Sequence, residues 1–207
     1  MYDGVKAMID AEKELGGGPP KAAETPDVPC GPHLKKPDQL TGFPAFPEGQ
    51  QGSLLYKFLT RDVWNQLKDQ KDAFGYTFKE AILSGCQNTD SGIGVYAGSP
   101  DSYAKFAPLF TPLLEHYHKF KLTTGHQSDM DASHLKCPPF DPEDAKMIRS
   151  TRIRVGRNLA EFPLGPGITK AQRDQVEQKV VEACSKFQGE LQGKYYSLAT
   201  MTPEDQK

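Results

Sequence analysis

Residues 148–158 read IRSTRIRVGRN, with Arg149, Arg152, Arg154 and Arg157 set among aliphatic and small residues. The longer stretch MIRSTRIRV (147–155) alternates in polarity and contains β-branched Thr151, Ile153 and Val155, a pattern that predicts a strand. Successive side chains on a strand point to opposite faces, and residues two apart lie roughly 6.5–7 Å from each other. Ser150, Arg152 and Arg154 would share one face, while Thr151, Ile153 and Val155 would pack against a helix from the other. A hydroxyl and two guanidiniums in a row are close enough to engage one polyphosphate. Guanidinium stays charged and meets phosphate oxygens as a planar fork, which a lysine cannot do. The same face would also serve as a solvated surface or as partner to carboxylates, and by spacing alone that reading stands ahead.

Downstream, ITKAQRDQVEQKVVEACSKF (168–187) predicts an amphipathic helix. It has a capping box of Thr169 and Gln172 and a stripe of Val176, Val180, Cys184 and Phe187. GKYYSLA (193–199) reads as a second strand. The last residues, TPEDQK, open as a helix would: Thr202 as cap, Pro203 in the first position, Glu204 and Asp205 toward the positive end of the dipole. One strand, helix and strand make a poor sheet by themselves. The expectation is therefore an incomplete second domain.

Upstream, residues 121–146 are polar and rich in turn formers, as in a linker. Before them the signals are helical. YKFLTRDVWNQLKDQ (56–70) offers Thr60 as an N-cap, with Val63 and Leu67 one turn apart. TFKEAILSG (77–85) has a capping box of Thr77 and Glu80, with Gly85 as its stop. SPDSYAKFAPLF (99–110) starts with Ser99 as cap and Pro100 at the first helical position. Tyr103, Phe106, Ala107 and Phe110 then fall on one side, and Thr111-Pro112 restarts a helix whose apolar face continues through Leu113, Leu114 and Tyr117. The first fifty residues differ in character: a short helix over 5–15 ends at GGGPP (16–20), and prolines recur through GFPAFPEGQQG (42–52), suiting an extended arm.

The chain has 207 residues, 37% hydrophobic and 25% charged, with 25 Lys and Arg against 27 Asp and Glu. It can bury a sizeable core in one or two domains. Near-neutral charge argues against a general polyanion binder, so an anion site has to be local. Cys30, Cys86, Cys137 and Cys184 form no CxxC pair; free thiols in a reducing compartment suit them best, with long-range disulfides as the alternative. No apolar run reaches the roughly 18 residues of a membrane span, and the N-terminus lacks a signal pattern. The expected location is cytoplasmic.

DSGIGVYA (90–97) is the other notable stretch. Gly92 and Gly94 free the backbone to turn several N–H groups toward one carboxylate or phosphate, although a plain connecting turn is the simpler reading. Neither GxGxxG nor GxxxxGK[ST] occurs, so dinucleotide and P-loop chemistry are unsupported.

STRIRVGRNL, followed by a proline-containing turn and a long helix, resembles the start of the catalytic domain of phosphagen (guanidino) kinases. ELQGKYYSLATMT and the helical region from about residue 53 extend the resemblance, and NTDSGIGVYAGSPDSY is similar to the guanidino-specificity loop of arginine kinases. The implied fold is α+β. An N-terminal extension (1–52) would precede a small all-helical substrate domain (53–125), followed by the incomplete start of an antiparallel-sheet, ATP-binding catalytic domain with flanking helices (126–207). The implied reaction is reversible transfer of the γ-phosphate of MgATP to the guanidino group of arginine.

Carried over by position, Ser91, Gly92, Ile93, Gly94, Val95 and Tyr96 would hold the carboxylate and amino end of the substrate, largely through backbone amides. Ser150, Arg152 and Arg154 would contact the ATP phosphates. Asp90 matches a position that pairs across the two domains. Mg2+ would arrive with ATP, and ADP would leave. The family's two guanidinium-orienting glutamates, its reactive cysteine and its further arginines map past residue 207, and none of the four cysteines matches the reactive one. The chain alone is therefore expected to be inactive.

Taurocyamine and related kinases remain alternative substrates' enzymes by this resemblance, while creatine kinases differ in the loop. A protein-arginine kinase would lack both the helical domain and SGIGVY. A non-catalytic phosphate or nucleic-acid module would bind RNA or DNA in a salt-sensitive way, which the acidic balance opposes. No nucleic-acid or membrane partner is expected, and the oligomeric state stays open. HQSDMDASHLKC (126–137) fits no zinc spacing and no metal site is expected; His116 and His118 suit the end of a helix.

Overall fold

The computed structural model describes residues 25–125, 127–136 and 138–206. The helix expected over 5–15 and the break at 16–20 lie outside the described residues. Two compact units are present: residues 1–69 with 77–96, and residues 70–76 with 97–207.

The first unit opens with two short strands, β1 (Val28–Pro29) and β2 (Pro44–Ala45), which pair in parallel with Val28 opposite Pro44 and Pro29 opposite Ala45. A 3-10 turn, Pro37–Gln39, lies between them. The arm read as extended thus folds back on itself, and Leu34 and Leu40 are buried beneath it. Helix α1 (Leu54–Phe58) follows, capped by Ser53, whose Oγ accepts from the Tyr56 amide at 3.0 Å. Helix α2 (Arg61–Leu67) is capped by Thr60 as its sequence predicts, with Oγ1 accepting from Val63 N at 3.2 Å. Its buried face is Trp64 and Leu67 rather than Val63 and Leu67. Trp64 meets Phe78 of helix α3 (Phe78–Gln87) with ring centroids 6.4 Å apart. The Thr77–Glu80 capping box forms: Thr77 Oγ1 accepts from Glu80 N at 3.2 Å, and Glu80 Oε2 accepts from Thr77 N at 2.7 Å.

Helix α3 does not stop at Gly85; it runs on to Gln87. Glycine at 85 answers a different demand, a close backbone approach described below.

In the second unit, helix α4 (Pro100–Lys105) has Ser99 as N-cap and Pro100 in its first turn, and helix α5 spans Ala107–His118. The break falls at Phe106, with φ −104 and ψ 25, and not at Thr111-Pro112; Pro112 sits inside α5. A proline there forfeits one bond to the carbonyl four residues back, Pro108, but its fixed φ suits a helix. Phe106, Leu109, Phe110 and Leu113 are buried, whereas Tyr117 is 56% exposed. The helix ends on Lys119 at φ 56, a left-handed conformation uncommon outside glycine. Phe162 is also buried, and Leu164 N donates to Gly98 O at 2.8 Å, tying the 162–168 turn to this core.

The strand expected over 147–155 does not form: residues 148–159 have no regular secondary structure. Nor does 193–199 form a strand. Among the described residues the sole sheet is β1 with β2, parallel and two-stranded, so the antiparallel sheet is corrected. The reason is physical. A lone strand leaves its alternating N–H and C=O groups unpaired, and no described segment pairs with this one. Ile153 and Val155 stand 88% and 83% exposed.

Helix α6 (Pro142–Met147) and helix α7 (Lys170–Ser185) bury no side chain. The Thr169–Gln172 capping box of α7 forms, yet Val180 and Phe187 of its expected stripe are each 48% exposed. Residues 203–206 form a turn with Asp205 N donating to Thr202 Oγ1 at 3.2 Å. Among the described residues no helix is long and apolar enough to cross a membrane.

Candidate functional site

The loop 90–96 lies in the first unit and is built on two helices. At its start, Ser91 N donates to Asn88 O at 2.9 Å, and the buried Thr89 hydroxyl donates to Gln50 Oε1. Gly92 O and Ile93 O then accept from Leu54 N at 3.0 Å and Leu55 N at 2.9 Å. These donors are the first two orphan amides of α1, and the third, Tyr56 N, goes to Ser53 Oγ. The helix start is therefore satisfied by its own cap and by the loop together. At the far end Tyr96 N donates to Ala81 O of α3 at 2.9 Å.

Between these anchors, the amides of Gly92, Ile93, Gly94 and Val95 donate to no acceptor among the described residues. Gly92, Ile93 and Tyr96 are exposed and Ser91 is half-buried, while Gly94 and Val95 are buried. Gly94 has φ +80, where only glycine is unstrained. A Cβ on Gly85 would lie 2.2 Å from Gly94 O, so α3 and the loop touch backbone to backbone. Gly92, by contrast, has an ordinary φ and open space around it. A backbone so held by its carbonyls, with amides unengaged, can hydrogen-bond an anionic group without reorganising.

Ser150, Arg152 and Arg154 belong to the second unit and are exposed. Among the described residues none of Arg149, Arg152 and Arg154 forms a salt bridge; Arg157 donates to Gly156 O at 2.7 Å. The carboxylate-paired reading of this segment is therefore absent, and its guanidiniums are available to a ligand. Asp90 is exposed. Asp129, Asp131 and His134 form a local surface cluster, with His134 Nδ1 2.7 Å from Asp129 Oδ2, and no group of three residues among those described is arranged to hold a metal.

Sequence reading missed Ser53 and α1, which carry half of the loop's anchoring. A serine directly before LLYKF was the available signal.

The family description "ATP:guanido phosphotransferase, N-terminal domain" matches residues 49–115, a span that contains α1, α3 and the whole loop. The chain belongs to the phosphagen kinase family. The chain is 48% identical over 156 residues to an arginine kinase of Anthopleura japonica, covering 75% of this chain and 22% of that protein. It is 44% identical to an arginine kinase of Callinectes sapidus, with 75% and 43% covered. The crystal structure of a lombricine kinase superposes with TM-score 0.61 at 28% identity, over 76% of this chain and 43% of that one. A duplicated taurocyamine kinase from Schistosoma mansoni, with bound transition-state analogue components, gives TM-score 0.54 at 25% identity, over 76% and 22%. The phosphagen kinase chain described here thus spans less than half the length of these relatives.

Proposed function

We propose that this phosphagen kinase chain supplies the guanidino-substrate loop and part of the nucleotide site of an enzyme that phosphorylates L-arginine reversibly from MgATP. Ser91 and the Tyr96 hydroxyl, with the backbone of Gly92, Ile93, Gly94 and Val95, take the carboxylate and amino end of arginine. Ser150, Arg152 and Arg154 take the ATP phosphates. Mg2+ travels with ATP, held mainly by phosphate oxygens and water. Transfer spreads negative charge over the migrating phosphoryl group, so these residues act by alignment and charge rather than by covalent chemistry. Free thiols and ATP use suit a cytoplasmic enzyme.

The observation that carries the reading is the loop pinned by its carbonyls to α1 while four consecutive amides lack an acceptor among the described residues. The arginine kinases at 44–48% identity favour arginine as substrate. Lombricine and taurocyamine kinases among the structural neighbours support the broader guanidino class.

The test compares L-arginine with agmatine, which lacks the carboxylate, by NMR titration of this chain. Arginine is expected to shift the amides of 92–95 and agmatine to leave them in place. Equal shifts, or none at all, would remove the loop from the site. In a protein that includes this chain and turns over, Tyr96→Phe is expected to raise KM for arginine several-fold at nearly constant kcat. The 207-residue chain alone is expected to show no arginine phosphorylation.

A further inference from the structure

Cys30 and Cys86 lie on segments far apart in sequence and are both buried, at 5% and 0% exposure. Cys30 follows β1, its amide donating to Ala45 O at 2.7 Å, while Cys86 is in the last turn of α3. Gly31 N donates to Cys86 O at 2.8 Å. With one two-bond span on each side of that contact, the two α-carbons are held within about 7.6 Å. Each thiol is the strongest electrostatic influence on the other, which places the two side chains close together. That bound approaches the α-carbon separation a disulfide requires, roughly 4.4–6.8 Å.

We propose that Cys30 and Cys86 form a redox-responsive pair, joined by small peroxides into a disulfide that staples the β1–β2 segment to the end of α3. Nothing in this proposal depends on the kinase reading. The hydrogen bond from Cys86 holds the Cys30 thiol below its ordinary value against the opposing effect of burial. Pairing with Cys30 and burial both push Cys86 up. Cys30 is the more accessible of the two and is the thiol that meets the peroxide. Its sulfur attacks one peroxide oxygen, the O–O bond breaks, and a sulfenic acid and water result. Cys86 sulfur then attacks the Cys30 sulfur, the S–O bond breaks, and the hydroxyl leaves as water with the Cys86 proton. Two thiols and one hydrogen peroxide yield one disulfide and two waters. A small oxidant suits two nearly enclosed sulfurs, whereas a bulky disulfide reagent does not.

Exposed Cys184 serves as an internal competitor. The folded 207-residue chain is treated with stoichiometric hydrogen peroxide, its remaining thiols are alkylated in urea, and trypsin digestion follows without reduction. Mass spectrometry is expected to find peptide 22–35 joined to peptide 80–105, the pair disappearing with dithiothreitol. The link should persist in Cys184→Ser and vanish in Cys30→Ser. Oxidation should also raise the thermal midpoint of the wild-type chain reversibly. Recovery of Cys30 and Cys86 as alkylated thiols, or a preferred link of either to another cysteine, overturns the proposal. The wild-type result decides the matter even if Cys30→Ser fails to fold.

Discussion

Asp72 is 5% exposed and accepts hydrogen bonds from Ser99 Oγ and Ser102 Oγ at 2.6 Å each, and from the amides of Phe74 and Tyr76 at 2.9 Å each. Burial alone would raise its pKa, but Ser102, Ser99 and the two amides outweigh burial and hold the carboxyl below its ordinary 3.8. A depressed carboxylate contributes stability above its unfolded pKa and loses it as pH falls through the folded value. Stability from this site is therefore expected to be full above about pH 4 and to fade below it. Asp72→Asn should cost about 1–3 kcal/mol at pH 7, with the loss shrinking in acid; urea titrations at several pH values check this. Gly85 offers a sharper contrast. In an open helix Gly→Ala gains up to about 1 kcal/mol, but here the new Cβ meets Gly94 O at 2.2 Å. Gly85→Ala is expected to destabilise by about 1–3 kcal/mol, whereas Gly92→Ala, with open space around it, should stay within about 0.5 kcal/mol. Equal effects of the two in thermal melts would count against the loop geometry.

Helices α3 and α7 begin with the same device and end in different states. Both have a closed capping box, yet α3 buries Phe78, Ala81, Ile82, Gly85 and Cys86, and α7 buries nothing. Helix α7 relies on its cap and on exposed pairs such as Lys170–Asp174 at 3.1 Å and Lys186–Glu182 at 2.8 Å, each worth roughly 0.3–0.5 kcal/mol. Amides of α3 are expected to exchange at least about a hundredfold more slowly than those of α7, as hydrogen-exchange mass spectrometry of this chain would show. Thr77→Ala should cost about 1 kcal/mol. Caps were legible in sequence because an N-cap is decided within four residues by its own side chain. The helix break at Phe106 was not, since either proline nearby fits a helix and burial of Phe106 determines where the chain bends.

At the scale of the molecule, residues 138–160 are exposed throughout, whereas α1 to α3 and α5 carry buried faces. Among described cleavage sites, limited trypsin digestion is expected to cut first at Lys146 to Arg157. Initial cleavage inside α2 or α3 would contradict the arrangement. The candidate loop was legible as DSGIGVYA because its glycines and hydroxyls are local features. What tethers it was hidden, since Leu54, Leu55 and Gly85 act through backbone contacts with partners distant in the chain. By itself, the sequence determined the caps, most helices, the unusual arm and the family. Tertiary structure alone decided that the arm pairs in parallel, that Gly85 is a contact rather than a stop, and that the arginine segment finds no strand partner among the described residues. A cap needs only its own turn, but a strand exists only where another segment takes its hydrogen bonds.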